Sequence, residues 1–230
     1  ASMLAGLFYF VFTTIAAGFS IGIQIIVARR FGEKNYDRIG IIFGHGFLFV
    51  LMLGSILFST LYFFSDHLLL RLIDSPNIYE ASLEYIKYRQ FGIIFVCFNF
   101  LFRALYVGIS DTKVITYSTI IMAVVNILLD YCLIFGKSSF PEMGIGGAAM
   151  ASLCAEVSAF LFFTIYSYIA LEEREFGMFR IHKLEPGLMG RILKISMPTM
   201  MQRLFSFSVW FIFFVLIEKM GETATGISSI

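Results

Sequence analysis

Charged residues are scarce in this chain. Only 14% of its 230 residues are Asp, Glu, Lys or Arg, whereas about a quarter is typical of soluble domains. Hydrophobic residues make up 59%, and the mean hydropathy is +0.85. This composition excludes an ordinary soluble protein and indicates an integral membrane protein. The formal net charge of +1 gives no reason to expect nucleic acid as a partner.

Signatures of catalysis, metal binding and secretion are also missing. The three cysteines, Cys97, Cys132 and Cys154, lie in apolar runs without CxxC spacing, so neither a disulfide framework nor a metal site is expected. The sequence contains no HExxH motif, no Gly-rich phosphate loop and no nucleophile beside a base, so an enzyme is not predicted. The first 28 residues lack a basic n-region and a cleavage site, so they are interpreted as a membrane span.

Long apolar runs make up most of the sequence. Six of them have spanning length: 3–28, 39–65, 85–110, 114–136, 143–171 and 195–217. The predicted fold class is therefore all-α, a polytopic transmembrane helical bundle. The third run is the weakest, because Lys87, Arg89 and Arg103 interrupt it and are expected to extend toward the membrane interfaces. Two small-xxx-small pairs, Gly18 with Gly22 and Gly40 with Gly44, predict close helix packing.

The distribution of Lys and Arg predicts the orientation in the membrane. Eleven lie in the regions 29–38, 103–113 and 171–194, and five in the alternate regions 66–90, 137–142 and 218–222. The positive-inside rule puts the first set in the cytoplasm and residue 1 outside. The charged stretch 172–194 contains Pro186 and Gly187 and is interpreted as a cytoplasmic connection between two bundles. Because 222–230 begins a further segment, we expect a piece of a longer protein.

One carboxylate stands in the middle of an uncharged span. Asp130 is the only charge in 114–136, and Asn126 lies four residues earlier on the same helix face. A lone acid at membrane depth is costly unless it is protonated, paired or bound to a cation, so it indicates a functional site by default. The predicted direction of the span places both residues in the outer half of the membrane. Ion-coupled transport is the function that this pattern favours.

The next span brings further oxygen atoms to a similar depth. Ser152 is expected at the level of Asp130, with Glu156 one turn deeper on the same face. Carboxylate, amide and hydroxyl oxygens suit a small cation, so Na⁺ and H⁺ are candidate ligands of Asp130, Asn126 and Ser152. The alternative is that these side chains only bond helices together.

Two further ionisable residues lie inside apolar runs. Arg203 stands mid-membrane in the last span and must be paired there, with Glu156 or Asp130 as its expected partner. A structural ion pair and a substrate contact both remain open for Glu156 and Arg203. His45 is expected to be a hydrogen-bonded helix residue rather than a proton relay.

Several motifs together resemble one transporter family. The run RALYVGISDTKVITYSTIIMAVVNILLDYCLIFG at 103–136, followed by PEMGIGGAAMAS, resembles the fourth to sixth helices of MATE (multidrug and toxic compound extrusion) transporters. ARRFGEKN at 28–35 is similar to the end of that family's second helix, and ISMPTMMQ at 195–202 to its seventh. The resemblance implies helices two to seven of twelve. Residues 1–171 would form the N-lobe bundle without its first helix, 172–194 the interlobe linker and 195–230 the start of the C-lobe.

The resemblance also implies a function. MATE transporters export amphipathic, often cationic, organic compounds across the inner (plasma) membrane of bacteria, driven by Na⁺ or H⁺ entering through a rocking two-lobe mechanism. The family's N-lobe cation site implies a role for Asn126, Asp130 and Ser152, together with an Asp from the absent first helix. No cofactor is implied beyond the coupling ion; the partners are an organic substrate, the lipid bilayer, and the first helix and C-lobe of the same chain. Ser206 stands where some members carry a seventh-helix Glu, which argues against a C-lobe cation site of that kind.

Two rival functions are weighed against this one. A flippase for lipid-linked oligosaccharides would line its cavity with several cationic residues, and only Arg103 and Arg203 qualify. A polytopic membrane enzyme acting on lipid would need clustered acids or histidines at an interface, which this sequence lacks.

Overall fold

The described part of the chain is helical throughout. A computed structural model describes residues 2–137, 140–172, 176 and 185–218. Its helices are α1 (Ser2–Gly32), α2 (Tyr36–Leu72), α3 (Pro76–Arg89), α4 (Ile93–Gly108), α5 (Lys113–Ile134), α6 (Gly144–Glu172) and α7 (Pro186–Glu218). A 3₁₀ turn, Gln90–Gly92, joins α3 to α4, so the two form one span. Six spans in the described residues are long and apolar enough to cross a bilayer, which confirms the predicted all-α transmembrane class.

Two helix starts differ from the sequence prediction. The third span begins at Pro76 rather than near residue 85: Ser75 caps it by accepting a hydrogen bond from the Ile78 backbone N–H at 3.4 Å, and proline is favourable at the first helical position. The last span begins at Pro186 rather than 195, again with proline at its start. Residues 186–194 of the predicted linker are therefore helical. The division of the chain into lobes and linker stays a prediction.

The helices form one bundle with an aromatic core. In it α1 contacts α4 and α7, α2 packs on α4, and α6 contacts both α3 and α5. Phe19, Tyr106 and Phe163 are among the largest fully buried side chains. The Tyr106 hydroxyl lies 2.7 Å from the Ser167 hydroxyl, which ties α4 to α6 inside this apolar core. Helix α5 lies at the edge of the bundle, since Val114, Ser118 and Leu133 are the only buried residues among its 22.

Glycines allow α1 and α7 to approach closely. A Cβ atom at Gly18 would lie 2.6 Å from the Met200 Cα, and one at Gly22 would overlap the Ser196 side chain. The Ser196 hydroxyl donates a hydrogen bond of 3.1 Å to the Phe19 carbonyl at this crossing. Close packing at the Gly18 and Gly22 pair is thereby confirmed.

Close packing is not found at Gly44, one member of the second predicted pair. No atom of the described residues lies within 4 Å of its Cβ position, so the prediction for Gly44 is wrong. The close approach of α2 occurs instead at Gly46, where a Cβ would lie 2.9 Å from a Leu101 methyl group of α4.

Candidate functional site

Helices α5 and α6 are antiparallel neighbours, and their register places the predicted site residues. The end of α5 and the start of α6 approach closely, since a Cβ at Gly147 would lie 2.7 Å from the Leu133 carbonyl oxygen. Counting from this contact at about 1.5 Å per residue puts Ser152 close to the level of Asp130. Glu156 follows one turn farther along α6. The relative levels of these residues on α5 and α6 therefore agree with those expected from the sequence.

A cavity of 340 Å³ opens between α3, α5 and α6. Its polar lining consists of Arg89, Thr119, Asn126, Ser152 and Glu156. Met122, Ala123 and Ala155 complete the wall. Asp130 is not part of this lining and lies one turn beyond Asn126 on α5. The structure thus brings Asn126, Ser152 and Glu156 to one cavity and leaves Asp130 at its end.

Three polar atoms at this place are buried and lack hydrogen-bond partners among the described residues. They are the Asn126 Nδ2, the Arg89 Nε and one carboxylate oxygen of Asp130, Oδ1. Buried polar groups are normally satisfied, so each exception calls for an explanation. A site that receives a ligand, or a polar group from another segment, is one such explanation.

A buried ion pair forms one wall of the cavity. The Arg89 Nη1 donates to the Glu156 Oε2 at 2.5 Å, and Nη2 donates to Oε1. The two side chains are only 12% and 9% exposed. The guanidinium carbon lies 4.3 Å from the centre of the Tyr9 ring, a cation–π contact from α1. The Asn99 side-chain amide donates to the Glu156 backbone carbonyl at 3.0 Å, so α4 also holds this point of α6.

This pair corrects two expectations. Glu156 binds Arg89 rather than Arg203, because α3 packs against α6 whereas α7 packs mainly against α1. Arg203 is half-buried on α7, and no ion-pair partner for it is found in the described part of the chain. Arg89 does not extend to a membrane interface, since Glu156 neutralises it inside the bundle. Sequence reasoning therefore missed Arg89 as a site residue.

Gly92 makes room for the ion pair. It closes the 3₁₀ turn between α3 and α4, and its φ of −74° and ψ of −20° are open to any residue. A Cβ there would overlap the Glu156 Oε2 and lie 2.8 Å from the Arg89 Nη1. The glycine is therefore explained by space and not by backbone conformation.

His45 lies outside the cavity and has two hydrogen bonds. Its Nδ1 lies 2.8 Å from the Ile41 carbonyl and can only donate there, while its Nε2 accepts from the Glu185 backbone N–H at 2.8 Å. The imidazole is therefore the neutral Nδ1–H tautomer and caps the start of α7. Arg38 adds a contact of 3.1 Å to the Glu185 carboxylate. The expectation of a hydrogen-bonded helix residue is confirmed.

The site residues differ in kind from those of a structural metal centre. Across the described ranges, no group of three or more His, Cys, Asp and Glu side chains lies close enough to hold a metal ion. The cavity offers the Asn126 amide, the Thr119 and Ser152 hydroxyls and the Arg89–Glu156 pair, and Asp130 lies nearby. The amide and hydroxyl oxygens and the Asp130 carboxylate are hard oxygen ligands of the kind that suit a small cation.

Comparison with known proteins identifies the family. The MatE family model matches residues 1–132. The chain is 27% identical over 199 residues to a probable multidrug resistance protein NorM of Agrobacterium fabrum, covering 86% of this chain and 43% of that protein. It is 26% identical over 193 residues to the probable multidrug resistance protein YoeA of Bacillus subtilis, covering 83% and 42%. The chain thus spans less than half the length of these curated relatives.

Solved structures share the fold. An inward-facing multidrug resistance MATE family transporter of the MOP superfamily superposes with a TM-score of 0.81 at 22% identity, covering 97% of this chain and 51% of the other. A MATE structure in a bent conformation gives the same TM-score and identity, over 99% and 51%.

The names of these relatives distinguish a transporter from an enzyme. They are called multidrug resistance proteins and transporters and not enzymes, so the prediction that this chain is not an enzyme is confirmed. The curated relatives named here are bacterial, and the six spanning-length helices make this a multi-pass protein of the cell membrane. The match over more than half of its residues establishes that the chain belongs to the MatE, or multidrug and toxic compound extrusion, family.

Proposed function

We propose that the complete transporter exports amphipathic organic compounds in exchange for Na⁺ or H⁺, and that Asp130, Asn126 and Ser152 bind the coupling cation. The observation that carries this proposal is the pair of unpartnered buried atoms on Asn126 and Asp130 beside the polar cavity. Family membership supports the transport part, because relatives that cover the same helices are named multidrug resistance proteins.

Each residue has a distinct role in this proposal. Asp130 supplies a negative charge that the cation neutralises, since a bare carboxylate is unfavourable at membrane depth. Asn126 and Ser152 supply neutral oxygens, the Asn126 amide after a 180° rotation that turns its carbonyl toward the ion. A carboxylate that alternates between charged and neutralised forms favours different helix arrangements in the two states. Such a difference is what couples an ion gradient to a rocking motion of two lobes.

The cationic residues argue for efflux over lipid-linked oligosaccharide flipping. Arg103 is exposed on α4, and Arg203 of α7 is not among the residues that line the cavity. Arg89, which does line the cavity, is neutralised by Glu156. A site that recognises a pyrophosphate-linked lipid needs cations that are free to bind it. In the described part of the chain the cavity offers no such cation, so we favour efflux.

The proposal is tested with Asp130→Asn in the complete transporter. Dye efflux is followed in proteoliposomes with imposed Na⁺ or H⁺ gradients, and Asp37→Asn, at an exposed position of α2, is the matched control. The expected result is normal insertion of both variants and loss of gradient-driven efflux in Asp130→Asn alone. Asn preserves a neutral helix-to-helix hydrogen bond, so wild-type efflux with wild-type ion dependence in this variant would leave Asp130 only a packing role.

A further inference from the structure

We infer that the Arg89–Glu156 pair and the Tyr9 ring transmit cation binding from α5 and α6 to α7, as positioning residues for transport. This inference rests on the proposed function and deepens it, because it separates binding of the cation from the coupling of that binding to helix movement. None of the three residues is a proposed cation ligand.

All proposed cation ligands of this chain lie on α5 and α6. Helix α5 contacts mainly α6 in the described part of the chain, so a response to the cation passes to the other helices mainly through α6. Beyond Glu156, α6 is anchored in the aromatic core, since Phe163 stacks on Phe102 with ring centres 5.5 Å apart. Glu156 lies between this anchored part and Ser152, which is one helical turn before it.

Glu156 is the point at which α6 is joined to three other helices. Arg89 of α3 binds its carboxylate with two N–H donors, and the Asn99 amide of α4 donates to its backbone carbonyl at 3.0 Å. The Tyr9 ring of α1 lies 4.3 Å from the guanidinium carbon. A bidentate ion pair fixes direction as well as distance, whereas apolar contacts are non-directional. A shift of α6 at Glu156 is therefore carried to Arg89 and to the Tyr9 ring.

Tyr9 belongs to a segment of α1 that contacts α7. Its two neighbours in the chain both take part: the Phe10 ring lies 4.8 Å from the Phe207 ring, and the Phe8 ring lies 5.7 Å from the Phe211 ring. Closely packed aromatic side chains do not shift independently of one another. A continuous series of contacts therefore connects the helices of the cation ligands to α7, the helix that is proposed to begin the second lobe.

The contact of Tyr9 with Arg89 uses the aromatic ring and not the hydroxyl. The Tyr9 hydroxyl is buried and has no hydrogen-bond partner among the described residues. Tyr9→Phe therefore keeps the cation–π contact, whereas Tyr9→Leu removes it and keeps an apolar side chain. The two substitutions form a matched pair that separates loss of the ring contact from loss of the hydroxyl.

The experiment uses the purified complete transporter with Tyr9→Phe, Tyr9→Leu, or the double substitution Arg89→Met and Glu156→Met. Replacing both members of a buried ion pair by apolar residues of similar volume often preserves stability. Arg29→Met with Glu33→Met, in an exposed ion pair, is the control. Cation binding is measured from the apparent melting temperature against NaCl, at constant ionic strength with choline chloride, and against pH. Coupling is measured as maximal dye efflux from proteoliposomes under a saturating Na⁺ or H⁺ gradient.

The expected result is a loss of efflux without a loss of binding. Only the part of each melting-temperature response that Asp130→Asn lacks is counted as binding at the proposed site. Tyr9→Leu and the Arg89 and Glu156 double variant should keep the half-saturating cation concentration within about three-fold and lose maximal efflux about five-fold or more, the lower end of typical coupling between two sites. Tyr9→Phe and the exposed-pair control should match the wild type in both measurements.

Other outcomes overturn the inference. Wild-type efflux in Tyr9→Leu or in the Arg89 and Glu156 double variant would show that the contact removed there is only structural. Binding that weakens in parallel with efflux would place the pair in the cation site itself, and equal losses in Tyr9→Phe and Tyr9→Leu would assign the effect to the hydroxyl. If the double variant does not fold, Arg89→Lys, which keeps the charge but not the paired hydrogen bonds, is judged by the same criteria. A wild-type transporter that responds to Na⁺ and pH no more than Asp130→Asn would instead refute the proposed function.

Discussion

The most direct test of the buried pair is the glycine beside it. Gly92 has helical dihedral angles, so Gly92→Ala introduces no backbone strain. The added methyl group would overlap the Glu156 Oε2 and crowd the Arg89 Nη1. The substitution therefore acts on the ion pair alone, which makes its effect interpretable.

The expected change in the free energy of unfolding on Gly92→Ala is the sum of two opposing contributions. Separating a buried ion pair so that its partners are left uncompensated costs about 3–5 kcal/mol. Replacing glycine by alanine in a helical conformation recovers up to about 1 kcal/mol of backbone entropy. We therefore expect Gly92→Ala to destabilise the complete transporter by about 2–4 kcal/mol.

Gly44 is the matched control. It lies inside α2 with no atom within 4 Å of its Cβ position, so Gly44→Ala should stabilise the protein by about 0.5–1 kcal/mol. Both variants are compared by SDS-induced unfolding in mixed micelles. In a Glu156→Ala background the penalty at Gly92 should shrink, because the overlapping carboxylate is gone. Equal stability of Gly92→Ala and Gly44→Ala would refute the view that Gly92 serves the ion pair.

Two further predictions concern orientation and the start of α7. With the native cysteines replaced, a cysteine at Phe140 should react with a membrane-impermeant thiol reagent added outside intact cells, while one at Asn35 should not; the reverse pattern would invert the topology. At α7, His45→Leu leaves the Glu185 N–H without its acceptor, at a cost of about 0.5–1.5 kcal/mol for the lost hydrogen bond, whereas His45→Gln retains an acceptor group. Hydrogen exchange of residues 185–189, followed by mass spectrometry, should therefore be faster in His45→Leu than in the wild type, with a smaller increase in His45→Gln. Equal rates in both variants and the wild type would show that this cap does not stabilise the start of the helix.

Hydropathy alone predicted the spans because a membrane imposes a length and a composition on each one. The ends were harder to predict where polar helical turns extend beyond the apolar run. At Pro76 and Pro186 the helix begins well before the hydropathy rises. Serine before Pro76 and proline at the first helical position were the local signals that marked these starts.

The relative levels of the site residues on α5 and α6 were predictable, but their partners were not. Asn126, Ser152 and Glu156 share a cavity because α5 and α6 are consecutive, antiparallel and closely packed, which the sequence indicates. The pairing of Arg89 with Glu156 joins residues 67 positions apart and depends on which helix packs beside α6. A signal did exist, since each of these two charges lay inside an apolar run and needed a partner. Choosing between Arg89 and Arg203 required the helix packing.

A buried ion pair in a cavity wall carries a desolvation cost, because a well-packed apolar pair of similar volume is often at least as stable. A wall of two apolar residues would, however, offer no polar contact to a cation bound, as proposed, at Asn126 and Ser152. The Arg89–Glu156 pair gives the cavity polar groups without adding net charge, and Gly92 together with the Tyr9 ring holds that pair in place. Polar groups on the cavity wall and a net charge of zero are thereby supplied by the same two side chains.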